Sequence, residues 1–216
     1  MTVEFPAEEV PSITVSEAIT AAKGTEVTVK GIVGPSLVNQ TGFYLIDESG
    51  VIAVRTSADV MKTLAIGNEV IFKGTRTLSK DTDGQICVDS AELLQNNYGS
   101  HSYSTASFIT DKTVADILAL DGDIAHTTEV YVVTGTIKRV VGGYSTNTYV
   151  VDGSNEIILY SNGNTTQYKW LEDCVGQTLT IEIAVCDWNN RGNKGCVLSI
   201  TTEDGTKVVN TLNFSN

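Results

Sequence analysis

Residues 42–75 read GFYLIDESGVIAVRTSADVMKTLAIGNEVIFKGT, and this stretch decides the fold. Residues 43–47 and 51–56 are apolar runs of strand length. Asp47-Glu48-Ser49-Gly50 closes them into a hairpin, with aspartate first and glycine last in the turn. Strand alternation puts Phe43 and Leu45 on one face and Tyr44 and Ile46 on the other. Residues 57–64 then carry helix formers behind Ser57, an N-cap residue. Ile66-Gly67-Asn68 turns the chain into a further strand at 69–78.

Upstream, residues 26–33 alternate, with Val27, Val29, Gly31 and Val33 on one face. A glycine inside a long strand lets it bend, as a small barrel requires. Gly34-Pro35 is expected to end that strand, and residues 14–22 are expected to form a short helix beginning at Thr14 or Ser16. Downstream, the polar turn 79–84 leads to a last strand at 85–94. The turn echoes a calcium loop but has Ser90 where the final glutamate belongs, so no metal site is expected. Strand, strand, strand, short helix, strand, strand is the order of a five-stranded Greek-key OB barrel.

The pattern returns about a hundred residues later. Thr113-Val114-Ala115-Asp116-Ile117 echoes Thr14-Val15-Ser16-Glu17-Ala18, and Gly135 stands for Gly31 in a strand at 128–140. Residues 148–152 match 43–47, residues 156–160 match 51–55, and 165–173 is the matching helix. Residues 178–187 and 195–201 form the last hairpin, with an extra strand at 207–214. The offset drifts from 104 at the glycines to 105 at Asp47/Asp152 and 109 at Gly67/Gly176, as loop insertions produce. The expectation is an all-β chain with minor helix: two OB barrels in tandem, 1–95 and 109–216. The polar Ser/Asn/Tyr-rich stretch 96–108 links them.

Composition narrows the function. The chain of 216 residues has a formal net charge of −12, and each half carries 13 acidic and 7 basic side chains. No Lys/Arg run marks a phosphate-tracking surface. No apolar run approaches membrane-spanning length. The start, MTVEFPAEEVPS, lacks the basic and apolar regions of a signal peptide. Cys87, Cys174, Cys186 and Cys196 include no CxxC pair; they read as small buried hydrophobes, or Cys186 and Cys196 face each other across the hairpin. There is no GxSxG, P-loop, HExxH or GxGxxG, and His101 and His126 lack metal partners in sequence. No enzyme and no cofactor is expected.

Ligand contacts in an OB barrel fall on strands two and three and the adjoining loops. This selects Tyr44 with Arg55 in the first copy and Tyr149 with Tyr160 at the matching positions in the second. Exposed tyrosines can stack a base or a sugar ring; the same residues would also serve to close a barrel edge or to pack between barrels. In the loop CDWNNRGNKGC (186–196), Trp188 offers a stacking face and Arg191 and Lys194 two cations. Arg139 precedes the matching first loop, with Tyr144 at its tip.

The run V-x-V-x-G-x-V, then F-Y-L-x-D-x-x-G-x-I-x-V, short helix and L-x-x-G-x-E-V-x-x-x-G-T resembles the OB-fold modules of secreted bacterial proteins. Such modules accompany extracellular nucleases and other cell-surface enzymes. The resemblance covers 26–94 closely and 128–201 loosely. It implies a binding role toward nucleic acid or another oligomer and an extracytoplasmic location, secreted or at the cell surface, with the leader absent from this sequence. The expected function is therefore a non-catalytic binding module for single-stranded nucleic acid or oligosaccharide. The alternative is a structural, protein-interaction module of a cell-surface protein.

Overall fold

Thr14 and Thr113 begin the two halves of the chain with the same device. The Glu17 carboxylate accepts from the Thr14 amide at 2.8 Å while Thr14 Oγ1 accepts from the Glu17 amide. Thr113 and Asp116 repeat the arrangement, with the Thr113 hydroxyl donating to the Asp116 carboxylate at 2.7 Å. These reciprocal caps satisfy amides that a helix start leaves without partners. They open α1 (Val15–Thr20) in the first half and its counterpart in the second. The computed structural model describes residues 10–37, 42–78, 86–120, 130–142, 146–160, 169–186 and 194–209.

Buried Val15, Ala18 and Ile19 of α1 pack into the core of a closed barrel. Its strands are β1 (Glu26–Ser36), β2 (Gly42–Asp47), β3 (Gly50–Arg55), β4 (Glu69–Leu78) and β5 (Ile86–Asn97). The short helix α2 (Ala58–Met61) joins β3 to β4, started by Ser57 as N-cap. The barrel closes in the order β1-β2-β3-β5-β4, with β3 and β5 parallel. Phe43 and Phe72 meet at its centre, ring centroids 5.4 Å apart.

The second half follows the same course. β6 (Thr110–Asp111) and α3 (Val114–Leu118) precede β7 (Val130–Val141), β8 (Thr146–Asp152) and β9 (Asn155–Leu159). A 3-10 helix, Lys169–Cys174, leads to β10 (Thr178–Cys186) and β11 (Lys194–Thr201). Pairing runs β7-β8-β9-β11-β10 and back to β7, again with the third and fifth strands parallel. The molecule is thus all-β with two OB-type five-stranded barrels in tandem.

Gly31 and Gly135 hold equivalent places in β1 and β7. A Cβ on Gly31 would stand 2.8 Å from the Ile46 carbonyl, and one on Gly135 2.6 Å from Val150 Cγ1. Both glycines are therefore required by close approach of the second strand, which is how the long first strand coils into a barrel.

Three details differ from expectation. β1 does not end at Gly34-Pro35: it runs to Ser36 through a register shift between Val33 and Ser36. A proline lacks the amide a regular ladder needs, and an irregularity accommodates it. β5 continues to Asn97. The short β6, parallel to β7, has a counterpart in the bridge between Ile13 and Val29, so the duplication begins upstream of the helices. Of the strand expected at 207–214, β12 (Lys207–Val209) is described and pairs with β11; the rest lies outside the described residues. Residues 165–168 of the helix expected at 165–173 also lie outside them.

Each barrel has its own core. Valines, leucines and isoleucines around Phe43 and Phe72 fill the first, and Tyr131, Ile157 and Leu159 belong to the second. A third apolar cluster joins them: Tyr44, Ile46, Val51, Ala53 and Cys87 from the outside of the first barrel, and Val130, Tyr160, Ala184, Cys196 and Leu198 from the outside of the second.

Candidate functional site

Alternation sends Phe43 and Leu45 inward and Tyr44 and Ile46 outward, as the pattern of β2 dictates. The expectation of an open tyrosine face on the first barrel is nevertheless corrected. Tyr44 is 3% exposed because the second barrel covers it, and Tyr160 is equally buried on the other side of the same seam. An outward side chain on an apolar sheet face is water-exposed only if nothing else in the chain buries it. Here Phe108 and Ile109, from the connecting segment, pack against the seam as well. That segment is bonded to both barrels: Ser107 Oγ donates to the Glu48 carbonyl at 2.6 Å and Thr105 Oγ1 to the Glu182 carboxylate at 3.3 Å.

Arg55 lies at the edge of the covered face, 3.7 Å from the Asp89 carboxylate. It lines a 340 Å³ pocket with Ser57 and Ser90. Arg139 points along the inner face of β7: it donates to Thr148 Oγ1 at 3.0 Å and pairs with Glu172 of the 3-10 helix at 3.1 Å. Its side chain is only 6% exposed, which makes it part of the barrel's end wall. Tyr144, Trp188 and Arg191 lie outside the described residues.

The second barrel keeps the equivalent sheet face open. Lys138 of β7 stands opposite Tyr149 of β8, which stands opposite Ile158 of β9. Gly195 pairs with Leu159, so Lys194 of β11 comes next in the row. The Lys138 ammonium sits 5.3 Å from the centre of the Tyr149 ring and is also paired with Glu156 at 2.5 Å. Lys194 Nζ lies 5.2 Å from the centre of the Tyr160 ring. Tyr149, Ile158 and Lys194 are half-buried and Lys138 is exposed. The result is a row of four strands with a cation at each end, the Lys138 ammonium beside Tyr149 and the Lys194 ammonium beside Tyr160 of the seam, a surface that can stack a planar ring and attract an anion.

Register relates the two faces position by position. Tyr149, Ile158 and Lys194 correspond to Tyr44, Ala53 and Cys87, which are cross-strand neighbours in the first barrel. Lys194 stands for a seam cysteine, and Glu156 for the seam residue Val51. Conversely, the seam residues Tyr160 and Cys196 of the second barrel correspond to Arg55 and Asp89 of the first. Apolar residues occupy the side of each barrel that meets the other, and charges occupy the repeated positions that face away. Sequence reasoning had the tyrosines and offered packing between the barrels as their other use, which is where Tyr44 and Tyr160 lie; it did not set Lys138 opposite Tyr149. Lys138 was legible in principle, because its register opposite Tyr149 follows from the short hairpin loop.

Among the described residues no group of three His, Cys, Asp or Glu side chains is placed to hold a metal ion. No helix among them is long and apolar enough to cross a membrane. Cys186 stands opposite Lys194 and Cys196 opposite Ala184, so the two cysteines are not cross-strand partners.

No protein-family model matches the sequence, and no curated protein does. Among solved structures the chain is similar to the hypothetical protein ygiW from E. coli, at 16% identity over 43% of this chain and 100% of that one, with a TM-score of 0.32. It is similar to the Ifi202 HINa domain in complex with 20-base-pair double-stranded DNA, at 11% identity over 88% and 98% of the chains and a TM-score of 0.40. A Replication Protein A heterotrimer bound to single-stranded DNA matches at 10% identity over 89% and 70%, with a TM-score of 0.30. Likenesses this distant carry no statement about what this chain binds.

Proposed function

We propose that the protein is a non-catalytic tandem OB-fold binding module whose second barrel takes an oligomeric ligand across β7, β8, β9 and the start of β11. The observation that carries this reading is the Lys138–Tyr149–Ile158–Lys194 row. The matching row of the first barrel is apolar and covered, so ligand contact falls to the second. Two lysines in a row with the Tyr149 ring favour single-stranded nucleic acid over oligosaccharide, because the lysines reward an anionic backbone. The net charge of −12 opposes a polyanion, so binding is weak and is weakened further by salt. The extracytoplasmic setting belongs to the same proposal and is supported by the likeness of 26–94 to modules of secreted proteins.

The test is titration of fluorescently labelled single-stranded DNA and RNA, with neutral oligosaccharides in parallel, at low and moderate salt. Saturable binding lost in Tyr149→Ala supports the reading. An anisotropy that does not move for any oligomer, or one that moves equally in Tyr149→Ala, rejects it.

A further inference from the structure

The Tyr149 ring is already in use within the chain. Glu156 of β9 stands opposite Val151 of β8 and two residues before Ile158, so it shares the outward face with the Lys138–Tyr149–Ile158 row. To meet it, Lys138 has to reach from β7 diagonally across β8. It does so: its ammonium lies over the Tyr149 ring, 5.3 Å from the centre, and 2.5 Å from the Glu156 carboxylate. A cation on an aromatic face and an ion pair act on the same atom. Together they hold the lysine over the ring on which a base would stack.

Neither member of this pair exists in the first barrel. Counted from the matching glycines Gly31 and Gly135, the place of Lys138 is taken by Gly34, where a Cβ would stand 2.7 Å from Ile46 Cδ1. The place of Glu156 is taken by Val51 of the seam. Tyr44 is thus covered by another barrel and Tyr149 by an ion pair. The second cover can be exchanged. Its two side chains are 47% and 45% exposed, and such a pair is held only weakly in water.

The chemistry of the pair says what exchanges it. A phosphate oxygen offers the ammonium an acceptor of the same charge as Glu156, so Lys138 can leave the ring without losing an anionic partner. A sugar hydroxyl or an uncharged ring offers no charge in return and would have to break the pair outright. Glu156 also repels any phosphate that approaches without taking the lysine.

We propose, resting on the reading of this row as the ligand face, that Glu156 is its specificity residue: it keeps Lys138 across Tyr149, so that the ring opens to a strand whose phosphates take the lysine over. The experiment is anisotropy titration of labelled oligothymidylate at low salt with the whole chain. Glu156→Gln removes the charge and keeps the shape. Glu203→Gln is the comparison, an exposed carboxylate beyond the end of β11 opposite Lys194, which makes the same change in net charge away from the row. Glu156→Gln binds roughly two- to fivefold more tightly than the parent, the worth of one exposed ion pair. Glu203→Gln gains less. In a Lys138→Ala background the Glu156→Gln gain shrinks to that of Glu203→Gln, because no lysine is left to release. The proposal is overturned if Glu156→Gln binds no more tightly than Glu203→Gln. It is also overturned if its gain is undiminished in Lys138→Ala, the mark of plain repulsion. Binding that is lost in Tyr149→Ala but unaltered in Glu156→Gln overturns this proposal and leaves the ligand face standing. Absence of binding by every chain, Glu156→Gln included, overturns both.

Discussion

Tyr44 and Tyr149 hold the same position in two copies of one barrel and have opposite surroundings. Tyr44 is 3% exposed against the second barrel, whereas Tyr149 is half-buried with the Lys138 ammonium 5.3 Å from its ring centre. One copy has made its sheet face an internal contact, and the other has kept it for solvent or a ligand.

This contrast sets the first prediction. With two lysines in the row, the affinity for single-stranded nucleic acid falls with log salt at a slope of about −1.4, and Lys138→Ala lowers that slope by about 0.7. Tyr149→Ala costs about 1–3 kcal/mol of binding and leaves the slope alone. Anisotropy titrations at several salt concentrations measure both. A slope that Lys138→Ala does not change would remove Lys138 from the interface.

The seam predicts shared stability. Ile46 is fully buried in the cluster that joins the barrels, so Ile46→Ala should cost about 2–5 kcal/mol. Because the cluster takes residues from both barrels, urea unfolding of the parent should show one transition at every probe. Cys87 and Cys196 are 0% and 4% exposed in the seam, so both should resist a thiol reagent in the native parent and react faster in Ile46→Ala. Two separate transitions in the parent would show that the barrels unfold independently.

Close approach at Gly135 predicts a backbone-limited position. An added methyl would meet the Val151 carbonyl at 2.7 Å and Val150 Cγ1 at 2.6 Å. Gly135→Ala should therefore destabilise by about 1–3 kcal/mol, by forcing β8 away from β7. Gly176, with φ +86 and open space around its Cβ, is costly to replace for another reason: its backbone conformation is one that side chains disfavour. Midpoints of urea unfolding for the two alanine variants check this, and a Gly135→Ala chain as stable as the parent would contradict the packing argument.

Acid should loosen the fold through the caps. Glu17 is held below the ordinary carboxylate range by the Thr14 amide and then its hydroxyl, and Asp116 by the Thr113 hydroxyl and then its amide. The Asn97 amide, then Lys30, do the same for Glu69. A depressed folded pKa means that the unfolded chain takes up protons first. The stabilisation is complete above the ordinary values of 4.5 for glutamate and 3.8 for aspartate and is lost as pH falls below them. The double variant Glu17→Gln, Asp116→Asn keeps polar caps without the titration and should show a shallower fall in thermal midpoint below about pH 4.5. An acid limb identical to that of the parent would show that these carboxylates do not drive it.

What the sequence determined by itself is local. Period-two alternation at 43–47 fixes which side chains point out of the barrel, Gly31 and Gly135 mark where the long strands bend, and Thr14/Glu17 and Thr113/Asp116 announce the helix starts. These signals depend on neighbours a few residues away, and the repeat supplied each of them twice. Only the tertiary structure decided what lies above an outward side chain. Tyr44 is covered by Val130, Tyr160, Ala184, Cys196 and Leu198, residues that follow it by eighty-six positions or more. Burial of apolar surface is non-directional and carries no sequence period across that distance, so two tyrosines with the same local pattern became a seam residue and a surface residue.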